Sequence, residues 1–172
     1  MKAVRFPEGF RLERLRRDLP RKHFQSGQSS VDQWLATKAL QHQAKHLSAT
    51  KVLMDEAAAI AGYYSLAPGQ NDFGDLPPEI ARTLPHRMLP AAVLAWFGVN
   101  VARQGQGLGS RLLAQALRDC WEAGKTFPFV AVMLDCVDDN AKLFYQKYDF
   151  SELPGQPYRL FLSAQDLDAM MG

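Results

Sequence analysis

The sequence has too little of several features that mark other classes of protein. It holds only two cysteines in 172 residues, Cys120 and Cys136, too few for a disulfide framework or a cysteine-rich zinc site. No apolar run reaches the ~20 residues that span a bilayer. The basic start of the chain lacks the apolar stretch of a secretory signal. We therefore expect a cytoplasmic protein with no membrane segment.

Metal-binding patterns are also missing. The chain has four histidines, and the two that lie four residues apart, His42 and His46, do not frame an HExxH sequence. We expect them on a helix surface and expect no metal site. Both cysteines have apolar neighbours in the sequence, so they are interpreted as small core residues.

What is present is an ordinary globular composition with an uneven charge. Hydrophobic residues make up 47% and charged residues 22%, and the length suits a single domain over residues 1–172. The net charge is only +2, yet residues 1–51 carry eleven Lys or Arg against four Asp or Glu. This basic first third indicates an anionic partner such as nucleic acid. A solvated charged surface is the alternative.

The first half of the chain predicts antiparallel structure. Residues 10–15 alternate apolar and polar side chains, as a half-buried strand does. Ser30 and Gln33 have the spacing of a capping box, which predicts a helix running to about His46. Residues 51–54 and 60–66 predict a hairpin. Residues 67–90 hold five prolines and predict a long loop, with a short helix over 78–83.

The second half predicts a parallel crossover. Residues 91–101 are apolar enough for a strand buried on both faces. A glycine-rich turn follows, and then an apolar stripe at helical spacing that ends at Gly124. Further elements are predicted in residues 129–134 (strand), 140–148 (helix) and 158–162 (strand). The sum is a mixed sheet with helices on both faces.

The glycine-rich turn predicts an anion site. Gly105, Gly107 and Gly109 lie between a buried strand and a helix N-terminus, where free N–H groups and the helix dipole favour a phosphate. The lysine of a Walker A loop is absent, and the spacing is GxGxG rather than the GxGxxG of a dinucleotide-binding fold. A tight packing turn is the alternative.

Two segments resemble the GNAT family of acetyltransferases. Residues 104–109 (QGQGLG) are similar to the family's Q/R-x-x-G-x-G/A signature, and residues 140–150 (NAKLFYQKYDF) to its N-A-x-x-F-Y-x-K-x-G-F segment, with Asp149 at the usual glycine. The resemblance implies acetyl-CoA as cofactor. It also implies the GNAT fold, which is an α/β fold with a mostly antiparallel sheet, a central splayed parallel strand pair and helices on both faces.

The resemblance also implies site residues. Tyr145 would be the general acid that protonates the leaving thiolate; its alternative role is a core aromatic. A backbone N–H in the strand before the loop would stabilise the oxyanion. The residues expected to bind the cofactor are Val99, Asn100, Val101, Gln104, Gly105, Gln106, Gly107, Leu108, Gly109, Ser110 and Asn140.

Most of the chain resembles one GNAT branch, the toxins of type II toxin–antitoxin modules, which acetylate the amino acid on charged tRNA. The similar segments are residues 24–27 (FQSG), 31–35 (VDQWL) and 62–66 (GYYSL). The resemblance implies charged tRNA and a ribbon-helix-helix antitoxin as partners, with a homodimer left open. Residues that would face the acceptor are Arg11, Arg14, Arg16, Arg17 and Trp96.

Two positions depart from the toxin pattern. Trp96 stands where these toxins have arginine, and Asn100 where they have aspartate. A GNAT enzyme acting on a small-molecule or protein amine is therefore one alternative, and a non-catalytic acyl-CoA-binding module is another. The aromatic residues Trp96, Phe97, Tyr63 and Tyr64 either line an acceptor pocket or pack in the core.

Overall fold

The computed structural model describes residues 2–172; Met1, the first residue of the predicted domain, lies outside the described residues. The strands are β1 (Arg11–Arg14), β2 (Ala49–Met54), β3 (Ile60–Asp72), β4 (Met88–Val99), β5 (Ala131–Asp135), β6 (Ser151–Leu153) and β7 (Gln156–Ser163). The helices are α1 (Ser29–Thr37), α2 (Ala39–Ala44), α3 (Pro78–Ala81), α4 (Leu108–Gly124), α5 (Asp139–Gln146) and α6 (Ala164–Met171).

The strands form one mixed sheet in the order β1-β2-β3-β4-β5-β7-β6. β4 and β5 pair in parallel, from Ala91 opposite Ala131 to Val93 opposite Met133, and α4 provides the crossover between them. The pairs β1–β2, β2–β3, β5–β7 and β6–β7 are antiparallel. The predicted mixed α/β sheet with one parallel pair is confirmed.

The chain packs as two compact units. We call residues 2–67 and 94–119 the glycine-loop unit, and residues 68–93 and 120–172 the Tyr145 unit. β3 and β4 each contribute residues to both units. The single domain over residues 1–172 stays a prediction.

An aromatic cluster forms the core of the glycine-loop unit. Trp34 of α1 stacks on Tyr63 of β3, with ring centroids 6.4 Å apart, and Phe24 meets Tyr63 edge-on at 5.4 Å. Tyr63 is fully buried, and its hydroxyl donates to the carbonyl of Val31 at 2.6 Å. Burying the phenol with its polar atom paired is what makes a buried tyrosine stable there.

A smaller cluster forms one core of the Tyr145 unit. Leu76, Leu89, Met133 and Phe161 pack together with Ala81 of the short helix α3. The proline-rich segment thus supplies core residues, because Leu76 and Ala81 both lie within it. Its irregular part is shorter than predicted, since β3 runs on to Asp72 and β4 already begins at Met88.

The predicted capping box at Ser30 is wrong. α1 begins at Ser29, so its N-cap is Gln28, two residues before the predicted one, and no side chain caps it. Asp32 takes part in a different contact: its carboxylate accepts hydrogen bonds from the backbone N–H of Ser26 at 2.9 Å and from the Ser26 hydroxyl at 2.6 Å. This bond ties the preceding turn to the helix.

The single helix predicted to run to His46 is two helices. α1 ends at Thr37, and Lys38, with φ −121°, separates it from α2. His46 adopts a left-handed backbone with φ 60°, and the N–H of Leu47 donates back to the carbonyl of His42 at 2.9 Å. A left-handed residue with this back-bond ends a helix.

The strand predicted over residues 91–101 is also corrected. β4 ends at Val99, and it includes the exposed residues Met88, Pro90 and Ala95, so it is not buried on both faces. Val101 belongs to a 3₁₀ turn and is 49% exposed. β6 and α6 have no counterpart among the predicted elements; α6 is capped by Ser163, whose hydroxyl accepts from the N–H of Asp166 at 3.0 Å.

Candidate active site

The segment between β4 and the glycine-rich turn is held by backbone and side-chain bonds. The N–H of Asn100 donates to the carbonyl of Ala61 at 2.8 Å, and the N–H of Val101 to the carbonyl of Gln25 at 2.8 Å. Asn100 caps the 3₁₀ turn, because its Oδ1 accepts from the N–H of Ala102 at 3.0 Å. Asn100 therefore fixes how the chain leaves the strand.

The glycine-rich turn is open where a phosphate would have to approach. Gly105 and Gly107 both have φ +78°, and a Cβ built at either position would meet nothing within 4 Å. α4 starts directly after them at Leu108. Left-handed glycines followed by a helix N-terminus present backbone N–H groups to an anion. These residues fit the pyrophosphate of acetyl-CoA.

Gln104 braces the turn. Its side-chain Nε2 donates to the carbonyl of Ser26 at 2.8 Å and to the carbonyl of Val99 at 3.0 Å. The glutamine of the signature thus holds the start of the turn against two other segments of its unit. Gln106 is exposed, while Gly109 and Ser110 lie half-buried in the first turn of α4.

Arg103, which comes just before the glycine-rich turn, is held by ion pairs. Its Nη2 lies 2.7 Å from Glu56 Oε1 and 3.2 Å from Asp55 Oδ2, and its guanidinium stands 5.2 Å from the centre of the Phe10 ring. Burial of Asp55 raises its pKa, but bonds from the N–H groups of Ala59 and Ala57 and from Arg103 leave the pKa below its usual value. Sequence analysis missed this anchor, because the pairing depends on the fold of the β2–β3 turn.

Tyr145 lies in the other unit, on α5. The helix is capped by Asp138, whose carboxylate accepts from the N–H of Ala141 at 2.8 Å. Tyr145 is 8% exposed and packs edge-on against Phe144 and Phe150. This burial, with a smaller contribution from Cys136, raises the pKa of Tyr145 far above its usual value. The phenol is held in the protonated form that a general acid needs.

The rest of the Asn-Ala segment follows the family pattern. Asn140 is exposed in the first turn of α5. Asp149, at the usual glycine, has φ 66°, a left-handed backbone that aspartate tolerates better than most other residues with a side chain. Cys136 is half-buried, and burial raises the pKa of its thiol. A core role fits Cys120, which is buried, better than Cys136.

Trp96 packs against the aromatic cluster of the glycine-loop unit. Its ring stacks on Trp34 with centroids 5.2 Å apart and planes 16° from parallel. Tyr63 and Tyr64 are fully buried, and the hydroxyl of Tyr64 donates to Asp119 on α4. Lys51 and Gln115 also donate to Asp119, at 2.7 and 3.0 Å, a network the sequence did not predict. The structure therefore places Tyr63 and Tyr64 in the core.

The four arginines predicted to face the acceptor differ in their surroundings. Arg11 pairs with Glu13 at 3.1 Å, and Arg16 pairs with Glu13 at 3.4 Å and with Asp18 at 3.2 Å. Arg14 and Arg17 are exposed, and within residues 2–172 neither forms an ion pair. Of these four arginines, Arg14 and Arg17 are therefore the more available to an anionic partner.

Comparison with known proteins identifies the family. A sequence model described as the acetyltransferase (GNAT) domain matches residues 48–152, more than half of the chain. The chain belongs to the GNAT acetyltransferase family. It is therefore an acyltransferase that uses acetyl-CoA, as its two motifs predict.

Relatives in the family are toxins. A tRNA-acetylating toxin of Mycobacterium tuberculosis is 32% identical over 87% of this chain and 89% of its own. A probable toxin TacT of Sinorhizobium fredii is 29% identical over 69% of this chain and 70% of its own. The predicted resemblance to this branch of GNAT enzymes is confirmed.

Solved GNAT structures share the fold. AtaT complexed with acetyl-methionyl-tRNAfMet superposes with a TM-score of 0.86 at 20% identity, covering 95% of this chain and 99% of that one. A variant of KacT gives a TM-score of 0.88 at 19% identity, with the same coverage. Among the described residues of this GNAT chain, no group of three or more metal-ligating side chains is found, and no helix is long and apolar enough to cross a membrane.

Proposed function

We propose that this GNAT enzyme acetylates the α-amino group of aminoacyl-tRNA, with acetyl-CoA as the donor. The observation that carries the proposal is the open turn with left-handed Gly105 and Gly107 before α4, in a chain 32% identical to a tRNA-acetylating toxin. Acetyl-CoA supplies the acetyl group as a thioester. The α-amine of an aminoacyl ester is partly neutral near pH 7, so it needs no strong general base.

The glycine-loop unit would hold the donor. Backbone N–H groups of Gly105, Gln106, Gly107, Leu108, Gly109 and Ser110 would bind the pyrophosphate. Asn140 stays a predicted cofactor-binding residue. Gln104 acts by keeping the turn in place, since its side chain is bonded within the protein.

One residue among Val99, Asn100 and Val101 is the best candidate for the backbone N–H that stabilises the oxyanion. The N–H groups of Asn100 and Val101 already donate to carbonyls of the protein. Successive N–H groups along a strand point to opposite sides, so the N–H of Val99 points away from that of Asn100. We assign the oxyanion contact to Val99.

Tyr145 would act as the general acid. Its Oη would give a proton to the leaving thiolate and regain one from solvent. The raised pKa keeps the phenol protonated before each turnover.

The acceptor would be recognised by the basic segment. Arg14 and Arg17 would contact tRNA phosphates, and Arg11 and Arg16 would contribute less because acidic neighbours already neutralise them. Trp96 would act on the acceptor only indirectly, through the aromatic cluster it packs against.

The comparisons also support a partner. The AtaT and KacT structures include complexes with the antitoxin AtaR and a KacTA–DNA complex. We propose that a small antitoxin of the ribbon-helix-helix type inhibits this enzyme, that the enzyme itself is a homodimer, and that it works in the cytoplasm, where charged tRNA is found.

The test is acetyl transfer to a bulk pool of charged tRNA. The purified protein is incubated with labelled acetyl-CoA and the pool, beside Tyr145→Phe. We expect label on the aminoacyl group with the wild type, and a loss of at least a hundredfold in rate with the variant. Label absent from tRNA but present on small or protein amines would overturn the tRNA acceptor. Binding of acetyl-CoA with no transfer to any amine would show that the protein binds the cofactor without catalysing acetyl transfer.

A further inference from the structure

The first residues of the chain run beside the glycine-rich turn. The guanidinium of Arg103, just before the turn, stands 5.2 Å from the centre of the Phe10 ring. Arg111, in the first turn of α4, donates from Nη1 to the backbone carbonyl of Arg5. The segment of residues 5–10 therefore contacts both residues that flank the turn, and it brings Arg5 close to the proposed pyrophosphate site.

Arg111 is directed toward the turn by its place in the helix. Its backbone N–H donates to the carbonyl of Gly107 at 3.3 Å, so one turn of helix separates its backbone from the open glycines. Side chains of a helix lean toward its N-terminus. Arg111 therefore extends toward the glycine-rich turn, and its bond to the Arg5 carbonyl restrains the guanidinium.

Arg5 and Arg111 are both exposed, and their charges are not neutralised within the protein. Among residues 2–172 neither forms an ion pair. The acidic residues nearby leave them unpaired, since Glu56 pairs with Arg103, and Glu8 is exposed and pairs with neither. A guanidinium has several N–H donors, and the bond to Arg5 uses only one of those on Arg111. Donors and charge are thus available here for an anion.

Acetyl-CoA carries a further phosphate besides its pyrophosphate. The free N–H groups of the turn and of the helix N-terminus suit the pyrophosphate. The other phosphate is a monoester on the 3′ position of the ribose, and such a group has about two negative charges at neutral pH. The planar fork of an arginine matches the oxygens of a phosphate, and hydrogen bonds between two charged groups are the strong ones.

We propose that Arg5 and Arg111 bind the 3′-phosphate of acetyl-CoA, and that the enzyme thereby distinguishes CoA from dephospho-CoA, which lacks this group. The inference rests on the proposed binding of the pyrophosphate by the glycine-rich turn and adds recognition of the adenosine end of the cofactor. It does not depend on the acceptor, because the 3′-phosphate and the thioester lie at opposite ends of acetyl-CoA.

The test measures the dissociation constants of CoA and dephospho-CoA by isothermal titration calorimetry for the wild type, Arg111→Gln and Arg5→Gln. Glutamine removes the charge and keeps a polar side chain. We expect the wild type to bind CoA about tenfold or more tightly than dephospho-CoA. Each variant should weaken the binding of CoA about fivefold or more and leave that of dephospho-CoA within about twofold.

Two features of the chain make the comparison specific. Arg118 lies seven residues further along α4, on the same side of the helix as Arg111. Arg118→Gln therefore removes the same charge from the same helix, and it should change neither dissociation constant. Arg5→Gln keeps the backbone carbonyl to which Arg111 donates, so its effect comes from the side chain of residue 5 alone.

The outcomes separate this inference from the proposed cofactor site. Equal affinity of the wild type for both ligands would overturn the inference, and so would an equal loss for both ligands in the two arginine variants. Gly105→Ala should weaken both ligands alike, because both contain the pyrophosphate. If it weakened neither, the turn would not be the pyrophosphate site, and this inference would fail with it. Thermal melting identifies a variant that has not folded, and the other arginine variant then decides.

Discussion

Burial sets the protonation state of Tyr145. The pKa of a phenol in water is about 10, and the environment of this side chain raises that pKa, first through burial and then through Cys136. A raised pKa means that the proton is retained as the pH rises past the ordinary value. The acid form is therefore available throughout the range in which an acceptor amine becomes neutral.

A pH profile checks this. We expect kcat/KM of the wild type to rise as the amine loses its proton and then to stay level up to about pH 10. Tyr145→Phe should keep the same rising limb at a rate ~10²–10⁴-fold lower. A falling limb near pH 9 that the phenylalanine variant lacks would contradict a raised pKa at Tyr145.

Two left-handed glycines, one in the glycine-rich turn and one elsewhere, allow the effect of backbone strain to be separated from cofactor binding. Gly105 and Gly155 have φ +78° and +74°, and neither has an atom within 4 Å of a built Cβ. Alanine at either position should cost about 1–2 kcal/mol of unfolding free energy through backbone strain alone. Only Gly105→Ala should also raise KM for acetyl-CoA, about tenfold, because only that turn is proposed to bind the pyrophosphate.

Thermal or urea unfolding together with steady-state kinetics makes the measurement. Gly155 lies in the turn between β6 and β7, so Gly155→Ala is matched in strain but not in function. If both variants raised KM for acetyl-CoA equally, the turn at Gly105 would have no special part in binding the cofactor.

At the scale of elements, α5 carries the proposed acid and depends on its cap. Asp138→Ala removes the acceptor of the Ala141 N–H and a negative charge at the helix N-terminus, and should cost about 1 kcal/mol of unfolding free energy. Ser163→Ala removes the corresponding bond at α6 and should cost about the same.

The two cap variants should differ in catalysis. We expect Asp138→Ala to lower kcat several-fold, because the first turn of the helix that positions Tyr145 frays, and Ser163→Ala to leave kcat unchanged. Chemical unfolding and kcat at saturating acetyl-CoA provide the measurements. Equal kcat in both variants would show that the cap contributes to folding alone.

The elements also show what the sequence can and cannot predict. α4 was predictable because its apolar stripe is long and follows directly on the glycine-rich turn. The N-cap of α1 was not predictable. The start of the helix is tied to the preceding turn by the bonds between Asp32 and Ser26, and no local sequence pattern predicts that turn. Nor was the burial of β4 predictable. Its near-continuous apolar run is the pattern of a strand covered on both faces, yet Met88, Pro90 and Ala95 are exposed.

Some features of the candidate site were predictable from the sequence, and others were not. The glycines of the turn were expected to allow a positive φ, and Gly105 and Gly107 have one, whereas Gly109 lies within α4. The brace by Gln104 and the anchor of Arg103 on Asp55 and Glu56 join residues far apart in sequence, so only the fold reveals them. Asn71, whose buried Nδ2 has no hydrogen-bond partner within residues 2–172, lies in a segment predicted as loop, and the sequence carries no signal for its burial.

At the scale of the whole molecule, charge would govern the proposed binding of tRNA. The excess of positive charge lies in residues 1–51. Among the four arginines predicted to face the acceptor, Arg14 and Arg17 are the two that form no ion pair within residues 2–172. Affinity for charged tRNA should fall steeply with salt. Arg14→Ala and Arg17→Ala should each reduce the magnitude of the slope of log K against log salt by about one, and Arg11→Ala by less.

Filter binding or fluorescence anisotropy between 50 and 200 mM salt, roughly the range over which such contacts weaken, gives these slopes. Slopes unchanged in all three variants would mean that another surface contacts the phosphates. Equal effects at Arg11 and Arg14 would mean that the bond to Glu13 does not compete with tRNA.

The three tryptophans provide separate optical reporters for the two units. Trp34 and Trp96 stack face to face in the glycine-loop unit, whereas Trp121 lies in the Tyr145 unit beside Lys125, donating its indole N–H to Asp168 at 3.0 Å. Stacked indoles couple their electronic transitions, so the pair should give a two-signed band in circular dichroism that a lone indole lacks. Following that band beside the fluorescence of Trp121 would reveal whether the two units melt together or one after the other.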